Sequence, residues 1–428
     1  MDIRDLYRLF LRCPRVTIDS RSGVDGSLFF ALKGKSFDGN RFASDALAAG
    51  AGYAVIDDAD FFLGERTVLV DDVLAALQGL ARLHRMTLGT PLIAVTGTNG
   101  KTTTKELLAA VLATKFNLLY TEGNLNNHIG VPLTLLRLTA GHEMAVVEMG
   151  ASHAGDIREL VGIALPDYGI ITNLGRAHLE GFGSFEGVVR TKAELYDYMR
   201  LTGGAIFIRK DDRDLMAIGE GIRQVTYGGD GAFVAGRVRG VWPFLSFEWM
   251  EDGEVYGVDT RLTGAYNIDN IMAAVAVGRH FGIPAGSIGC AIAAYEPSNN
   301  RSQIRKTAHN TLIIDAYNAN PDSMKAAIGN LASMPVAPRA VILGDMKELG
   351  VRSLELHGEI LDEVEKGRFD RVILCGEQFM EAASGRGFTS YPTTGELVDA
   401  LSLAPLAGFH ILIKGSRSMA LEAVAGVL

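Results

Sequence analysis

Residues 96–104 read Thr-Gly-Thr-Asn-Gly-Lys-Thr-Thr-Thr and follow the apolar run Pro91-Leu92-Ile93-Ala94-Val95. A buried strand running into a glycine-rich turn, then a helix-compatible stretch from Lys101, is the arrangement that cradles a nucleotide triphosphate. Gly97 and Gly100 let backbone N–H groups turn inward toward phosphate oxygens. Lys101 supplies a point positive charge and Thr102 a hydroxyl for Mg²⁺, while the helix N-terminus adds its positive dipole end. A standard phosphate loop has glycine five residues before Gly100, and this chain has Val95 there.

Other polar residues sit where buried strands should end. Glu148 closes Val146-Val147-Glu148. A carboxylate from a neighbouring strand can hold the Mg²⁺ that Thr102 touches, and the plainer alternative is a turn cap. His178 lies in the loop Thr172–Leu179, where a packed histidine and a ligand are both open readings. Lys192 belongs to the charged stretch Arg190-Thr191-Lys192-Ala193-Glu194, and residue chemistry alone does not single it out. The segment 121–132 is dense in amides, with Asn124, Asn126 and Asn127 offering donors and acceptors to sugars, phosphates or peptide groups. Asp315 ends another apolar run and suits ribose hydroxyls, whereas Asp322 or Ser323 is suited to cap the next helix. Lys414 and Arg417 place two cations at a further strand end, fit for a carboxylate or phosphate or simply for a charged turn.

Positioning such groups needs strands that deliver them to common edges. Residues 1–86 mix short strand-like runs with turns and end in an amphipathic helix over Asp71–Met86. Gly89-Thr90-Pro91 punctuates the chain. Across 87–302, the apolar runs Met144–Val147, Tyr168–Ile171 and Gly203–Ile208 alternate with helical stretches, including an alanine-rich one over Asn267–Phe281. From 303 to 428 the same grammar repeats, with runs at Thr311–Ile314, Ala340–Leu343, Arg371–Leu374 and His410–Ile413. Alternation of this kind predicts α/β architecture with parallel sheets and an active site between two of them.

Bulk properties narrow the classes. The 428 residues carry 41 Lys+Arg against 50 Asp+Glu, a formal charge of −9, which disfavours a nucleic-acid binder. Three scattered cysteines, Cys13, Cys290 and Cys375, suit a reducing cytoplasm and are expected to be small buried hydrophobes. No apolar stretch reaches transmembrane length, and the charged start, Met1–Arg15, does not read as a signal peptide, so a cytoplasmic protein without membrane insertion is expected.

Residues 96–103 resemble the ATP loop of the Mur ligase family, which spaces its glycines in this way and so accounts for Val95. The stretches 122–132, 315–323, 343–350, 17–21 and 30–34 resemble the dipeptide-adding branch of that family, so the likeness runs from near residue 17 to near 422. It implies three domains: a small α/β UDP-muramoyl-binding domain (1–86), a central phosphate-loop parallel-sheet ATPase domain (87–302) and a C-terminal Rossmann-like domain that takes D-alanyl-D-alanine (303–428). It implies ATP and Mg²⁺, a UDP-N-acetylmuramoyl-tripeptide and D-alanyl-D-alanine as partners, and a monomer. By the same resemblance Gly97, Thr98, Asn99, Gly100, Lys101, Thr102, Thr103, Asn267, Asn270, Arg301 and Asp315 would hold ATP. Thr102, Glu148, His178 and a carbamylated Lys192 would hold metal, and Lys101, Glu148, His178 and Lys192 would carry the chemistry. Ser20, Arg21, Lys33, Asn124, Asn126, Asn127, Asn318, Asn320, Lys414 and Arg417 would contact the other substrates. Tyr266, where the family commonly has histidine, and Arg209-Lys210, where asparagine often precedes the acidic pair, depart from the pattern. The lysine- or diaminopimelate-adding branch is the nearest alternative, but its Asp-Asn-Pro-type motif is not found. A regulatory phosphate-loop ATPase is the alternative from another class.

Overall fold

In the computed structural model, residues 1–251, 253–297 and 301–428 are described. The first sheet has four parallel strands in sequence order, Arg15–Thr17, Ser27–Phe30, Tyr53–Ile56 and Thr67–Leu69. The charged start of the chain folds as the helix Ile3–Arg12, which buries only Leu6 and Phe10. That helix lies on the helix Val73–Leu88, where the Tyr7 hydroxyl meets His84 Nδ1 at 3.2 Å. Asp72 caps the longer helix by accepting the Ala75 N–H at 2.8 Å, and Gly89 ends it at φ 65°. Its apolar stripe continues onto Gly130–Leu135 and Asp156–Ala164, so the first sheet and the second share one apolar cluster.

The second sheet has nine strands. Leu92–Thr96 is buried along its whole length and lies between Met144–Glu148 and Tyr168–Ile171, both parallel to it. The chain leaves it toward Leu118–Tyr120 on one side and later crosses to Tyr168–Ile171 on the other. The loops after Thr96, Glu148 and Ile171 therefore diverge and open a crevice at the carboxyl ends of the strands. Beyond Ala205–Arg209 and Arg223–Gly228 the sheet ceases to be wholly parallel. Val234–Gly240, Ser246–Glu251 and Glu254–Asp259 pair antiparallel with one another, an extension the sequence reading did not anticipate. Their burial alternates, with Phe247 and Trp249 inside and Met250 outside, and only half of such a strand is apolar. The helices Lys101–Leu112 and Ile268–His280 pack together over one face.

In the third sheet the order is Gln303–Lys306, Thr311–Asp315, His410–Lys414, Arg339–Gly344, Arg371–Cys375 and Thr389–Tyr391, all parallel except the first. The last strand to form in sequence fills the gap between the second and third, which sets Asp315 directly opposite Lys414. The two edge strands, short and polar, were not anticipated from apolar runs. Of the cysteines only Cys375 is buried; Cys13 is half-buried and Cys290 is exposed on the helix Ala285–Ala294, which corrects the expectation that all three are core residues. Among the described residues, no helix is long and apolar enough to cross a membrane.

Candidate active site

The loop after Leu92–Thr96 is held on both sides before any ligand enters. Thr98 N–H donates to Asn173 O at 3.0 Å, Asn99 N–H to Asn173 Oδ1 at 2.9 Å, and Asn173 Nδ2 returns to Asn99 O at 2.9 Å. Gly97 stands at φ 139°, and a Cβ there would meet Thr172 Oγ1 at 2.0 Å. Gly100 is the N-cap of the helix Lys101–Leu112 at φ 79°, and its bare face rests on Asn270, 2.4 Å from where a Cβ would sit. Asn270 is itself fixed, donating to Asn267 Oδ1 at 2.9 Å and accepting from the Thr104 hydroxyl at 3.0 Å. Asn267 donates to Thr263 O at 2.8 Å. These two buried asparagines thus brace the loop from behind as well as facing the cavity.

That cavity, about 730 Å³, lies where the carboxyl ends of the second and third sheets face each other. Thr98, Asn99, Gly100, Lys101, Thr102 and Thr103 line it together with Glu148, His178, Asn267, Asn270, Arg301 and Asp315. Asn126, Asn127, Asn318, Asn320 and Lys414 join them. Gly97, at the start of the loop, does not line the cavity. Asn124 is exposed outside the cavity, and Arg417 pairs with Glu422 at its edge. Ser20 and Arg21 lie in the turn after Arg15–Thr17 and Lys33 just beyond Ser27–Phe30, and none of them lines this cavity; Arg21 pairs with Asp19 at 2.9 Å and Lys33 with Asp57 at 2.9 Å. Lys192 lies buried on the helix Phe185–Thr202 and does not line the cavity wall.

Electrostatics separate the residues further. Lys101 Nζ donates to Gly97 O at 2.8 Å and Thr98 O at 3.0 Å. Burial draws its ammonium down to about 8, with Arg301 adding to the effect and Glu148 opposing it. Glu148 is 2% exposed; its Oε1 accepts from Asn126 Nδ2 at 2.8 Å and its Oε2 has no hydrogen-bond partner among the described residues. A buried carboxylate with one open oxygen, together with the Thr102 hydroxyl, is a hard-oxygen donor set that fits Mg²⁺. No cluster of three or more His, Cys, Asp or Glu able to hold a metal occurs among the described residues, and Mg²⁺ on a nucleotide needs only one or two protein carboxylates. Burial lowers the Lys192 amine well below its ordinary value, and Lys101 contributes. His178, at φ 51°, meets through Nδ1 the Glu348 carboxylate in the loop after Arg339–Gly344, and burial lowers its ring. Asp315 accepts from Lys414 Nζ at 2.6 Å, so the acid and the cation that the sequence offered separately as ligand groups neutralise each other. Tyr266 lines the cavity and its hydroxyl meets Ser302 Oγ at 2.9 Å.

The helix Pro321–Ser333 is capped by Asn320, which accepts the Ser323 N–H at 2.9 Å, while Ser323 Oγ accepts the Asn320 N–H at 3.1 Å; Ser323 thus completes the capping box and Asp322 does not. Asp322 instead pairs with Arg176 across the domain junction at 3.3 Å. Asn320 Nδ2 donates to Asn99 Oδ1 at 2.7 Å, joining the third sheet to the tip of the phosphate loop. Sequence reasoning passed over Asn173, Ser152, His153, Asp156 and Glu348, all on the cavity wall. Position alone could have raised the first four, since each lies just beyond a buried strand end. Glu348 lay in a stretch noticed only for its likeness.

A triphosphate cradle on one sheet, faced by a Rossmann-like sheet and preceded by a small parallel one, defines a three-part α/β enzyme that uses ATP. Three family models match in order: "Mur ligase family, catalytic domain" over 14–85, "Mur ligase middle domain" over 95–278 and "Mur ligase, glutamate ligase domain" over 300–417. The chain belongs to the Mur ligase family. It is 37% identical over 424 residues to the UDP-N-acetylmuramoyl-tripeptide–D-alanyl-D-alanine ligase of Escherichia coli K12, covering 96% of this chain and 93% of that one. The solved MurF of Acinetobacter baumannii superposes with a TM-score of 0.88 at 29% identity, covering 96% of this chain and 92% of that one. MurF ligase of Thermotoga maritima, solved in complex with ADP, superposes at 0.87 with 28% identity and 97% coverage of both chains.

Proposed function

We propose that this chain is an ATP-dependent ligase that joins D-alanyl-D-alanine to a UDP-N-acetylmuramoyl-tripeptide during peptidoglycan precursor synthesis. The observation that carries the reading is the shared cavity: phosphate-loop residues 98–103 and Glu148 on one sheet face Asp315, Asn318, Asn320 and Lys414 on the next. Identity of 37% over nearly the whole length of a dipeptide-adding relative supports this branch of the family.

A carboxylate is a poor electrophile at neutral pH. Transfer of the γ-phosphoryl group from ATP to a carboxylate oxygen of the tripeptide releases ADP and gives an acyl phosphate with a good leaving group. The amine of D-alanyl-D-alanine then adds to the acyl carbon, loses its proton, and the tetrahedral intermediate expels phosphate. Two anions must first be brought together, so the protein's work is positioning and charge neutralisation. Lys101 and the loop N–H groups, held rigid by Asn173 and Asn270, would grip the phosphate chain. Bound Mg²⁺ would neutralise phosphate oxygens, held by Thr102 and Glu148, with His178 and a carbamylated Lys192 holding a second ion. The depressed basicity of Lys192 supports that modification, because only the neutral amine adds CO₂ and sheds a proton to become an anion. Asp315, fixed by Lys414, is suited to ribose hydroxyls. Residues 1–86 would take the UDP-muramoyl group, 87–302 ATP and 303–428 the dipeptide, with Ser20, Arg21 and Lys33 serving the first.

Single-turnover assays test the reading. Phosphate should appear only when the tripeptide substrate is present, and full product only with D-alanyl-D-alanine. Phosphate release at an equal rate from ATP alone would mark a regulatory ATPase instead. Replacing D-alanyl-D-alanine by lysine or diaminopimelate should yield no ligation.

A further inference from the structure

Arg301 lines the cavity with Lys101, and nothing negative among the described residues holds it. The acid at the neighbouring strand end is engaged elsewhere. Asp315 Oδ2 accepts from Lys414 at 2.6 Å, and its Oδ1 accepts the Ser302 N–H at 3.3 Å. Arg301 instead sits over Tyr317, its guanidinium carbon 3.7 Å from the ring centroid. Its Nε is buried and has no hydrogen-bond partner among the described residues. Arg417 approaches the same ring at 6.0 Å, but its charge is shared with Glu422 at 2.8 Å.

The two ways of holding a guanidinium differ in consequence. A carboxylate would orient Arg301 and also cancel its charge, and that pair would have to break before phosphate could bind. An aromatic face orients the cation through its quadrupole and leaves the full charge and the outward N–H donors available. With Asp315 occupied by Lys414, the Tyr317 ring supports the guanidinium without neutralising it. The geometry points to Tyr317 as a positioning residue that holds Arg301 uncompensated and aimed at the phosphate chain of the nucleotide. This rests on the ATP-site reading above and deepens it.

The test is a double-mutant cycle read by equilibrium titration of adenylyl imidodiphosphate into the full chain, with steady-state KM and kcat for ATP alongside. Tyr317→Leu should weaken nucleotide binding by about 3–30-fold, the range a cation–π contact supplies. The KM for ATP should rise in step while kcat changes by less than about twofold. Tyr317→Phe, which keeps the ring face, should restore binding to within about twofold of wild type. In an Arg301→Ala background, Tyr317→Leu should add no further loss. An unchanged affinity in Tyr317→Leu would overturn the proposal. So would a full loss that persists without Arg301, which would mean the ring touches the nucleotide itself, or a fall in kcat alone. If Tyr317→Leu does not melt cooperatively, Tyr317→Met carries the same expectations. Wild-type protein that binds the nucleotide yet forms no peptide product would defeat the ligase reading and leave this cycle interpretable.

Discussion

At the scale of single residues, the account turns on which side chains are charged. Lys101→Ala removes the one cation inside the phosphate loop and should lower kcat/KM by about 10²–10³-fold, the usual cost of losing a transition-state charge donor. Turnover within about threefold of wild type would contradict the role assigned to Lys101. Because burial brings Lys101 down to about 8, its ammonium is present below that pH and lost above it. The free enzyme's kcat/KM for ATP should therefore fall as pH rises through about 8. In the bound complex the phosphates favour the charged form, so kcat should hold to higher pH. A profile of kcat/KM that stays flat from neutral pH to well above this value speaks against the assignment. Lys192→Ala should be largely inactive and partly rescued by short carboxylic acids, which replace the carbamate's charge. Rescue absent over a full concentration series would remove the carbamate from the scheme.

Elements explain why these side chains stand where they do. The loop 97–100 has the glycines its backbone requires: Gly100 at φ 79° is pressed against Asn270, and Gly97 against Thr172. Gly100→Ala adds roughly 1–2 kcal/mol of left-handed strain. It also drives a Cβ into the Asn270 amide, 2.4 Å away. Nucleotide affinity should fall by at least about tenfold, measured by titration, while the far-UV spectrum stays native. An affinity equal to wild type would mean the loop is not held as described. The same elements show what a sequence discloses. Leu92–Thr96 and His410–Lys414 were legible because buried parallel strands are apolar on both faces, so their polar ends stand out. The antiparallel extension 234–259 was not, because its strands alternate and half their residues meet water. Glu348 was illegible for another reason. It matters through a partner remote in the chain, His178, and no local pattern records such a pairing.

On the scale of the whole molecule, the first and second sheets share a continuous apolar cluster, and the third is joined to the second both by polar contacts at the cavity and by an apolar cluster in which Leu179, Phe182 and Val188 lie with Met346 and Leu349. Asn99–Asn320, Arg176–Asp322 and His178–Glu348 make the polar part of that junction. A partly exposed ion pair such as Arg176–Asp322 contributes only about 0–1 kcal/mol, so this part of the docking should respond to what fills the cavity. Small-angle scattering should show a smaller radius of gyration with ATP analogue and UDP-muramoyl-tripeptide bound than without. An identical radius in both states would contradict a ligand-dependent junction. The central claim is that the phosphate loop delivers the γ-phosphoryl group to a carboxyl oxygen of the peptide substrate. It is tested most directly by labelling both oxygens of that carboxylate with ¹⁸O and analysing the inorganic phosphate released on ligation. The account predicts one labelled oxygen in each phosphate formed; phosphate carrying no label, with peptide product accumulating normally, would contradict it.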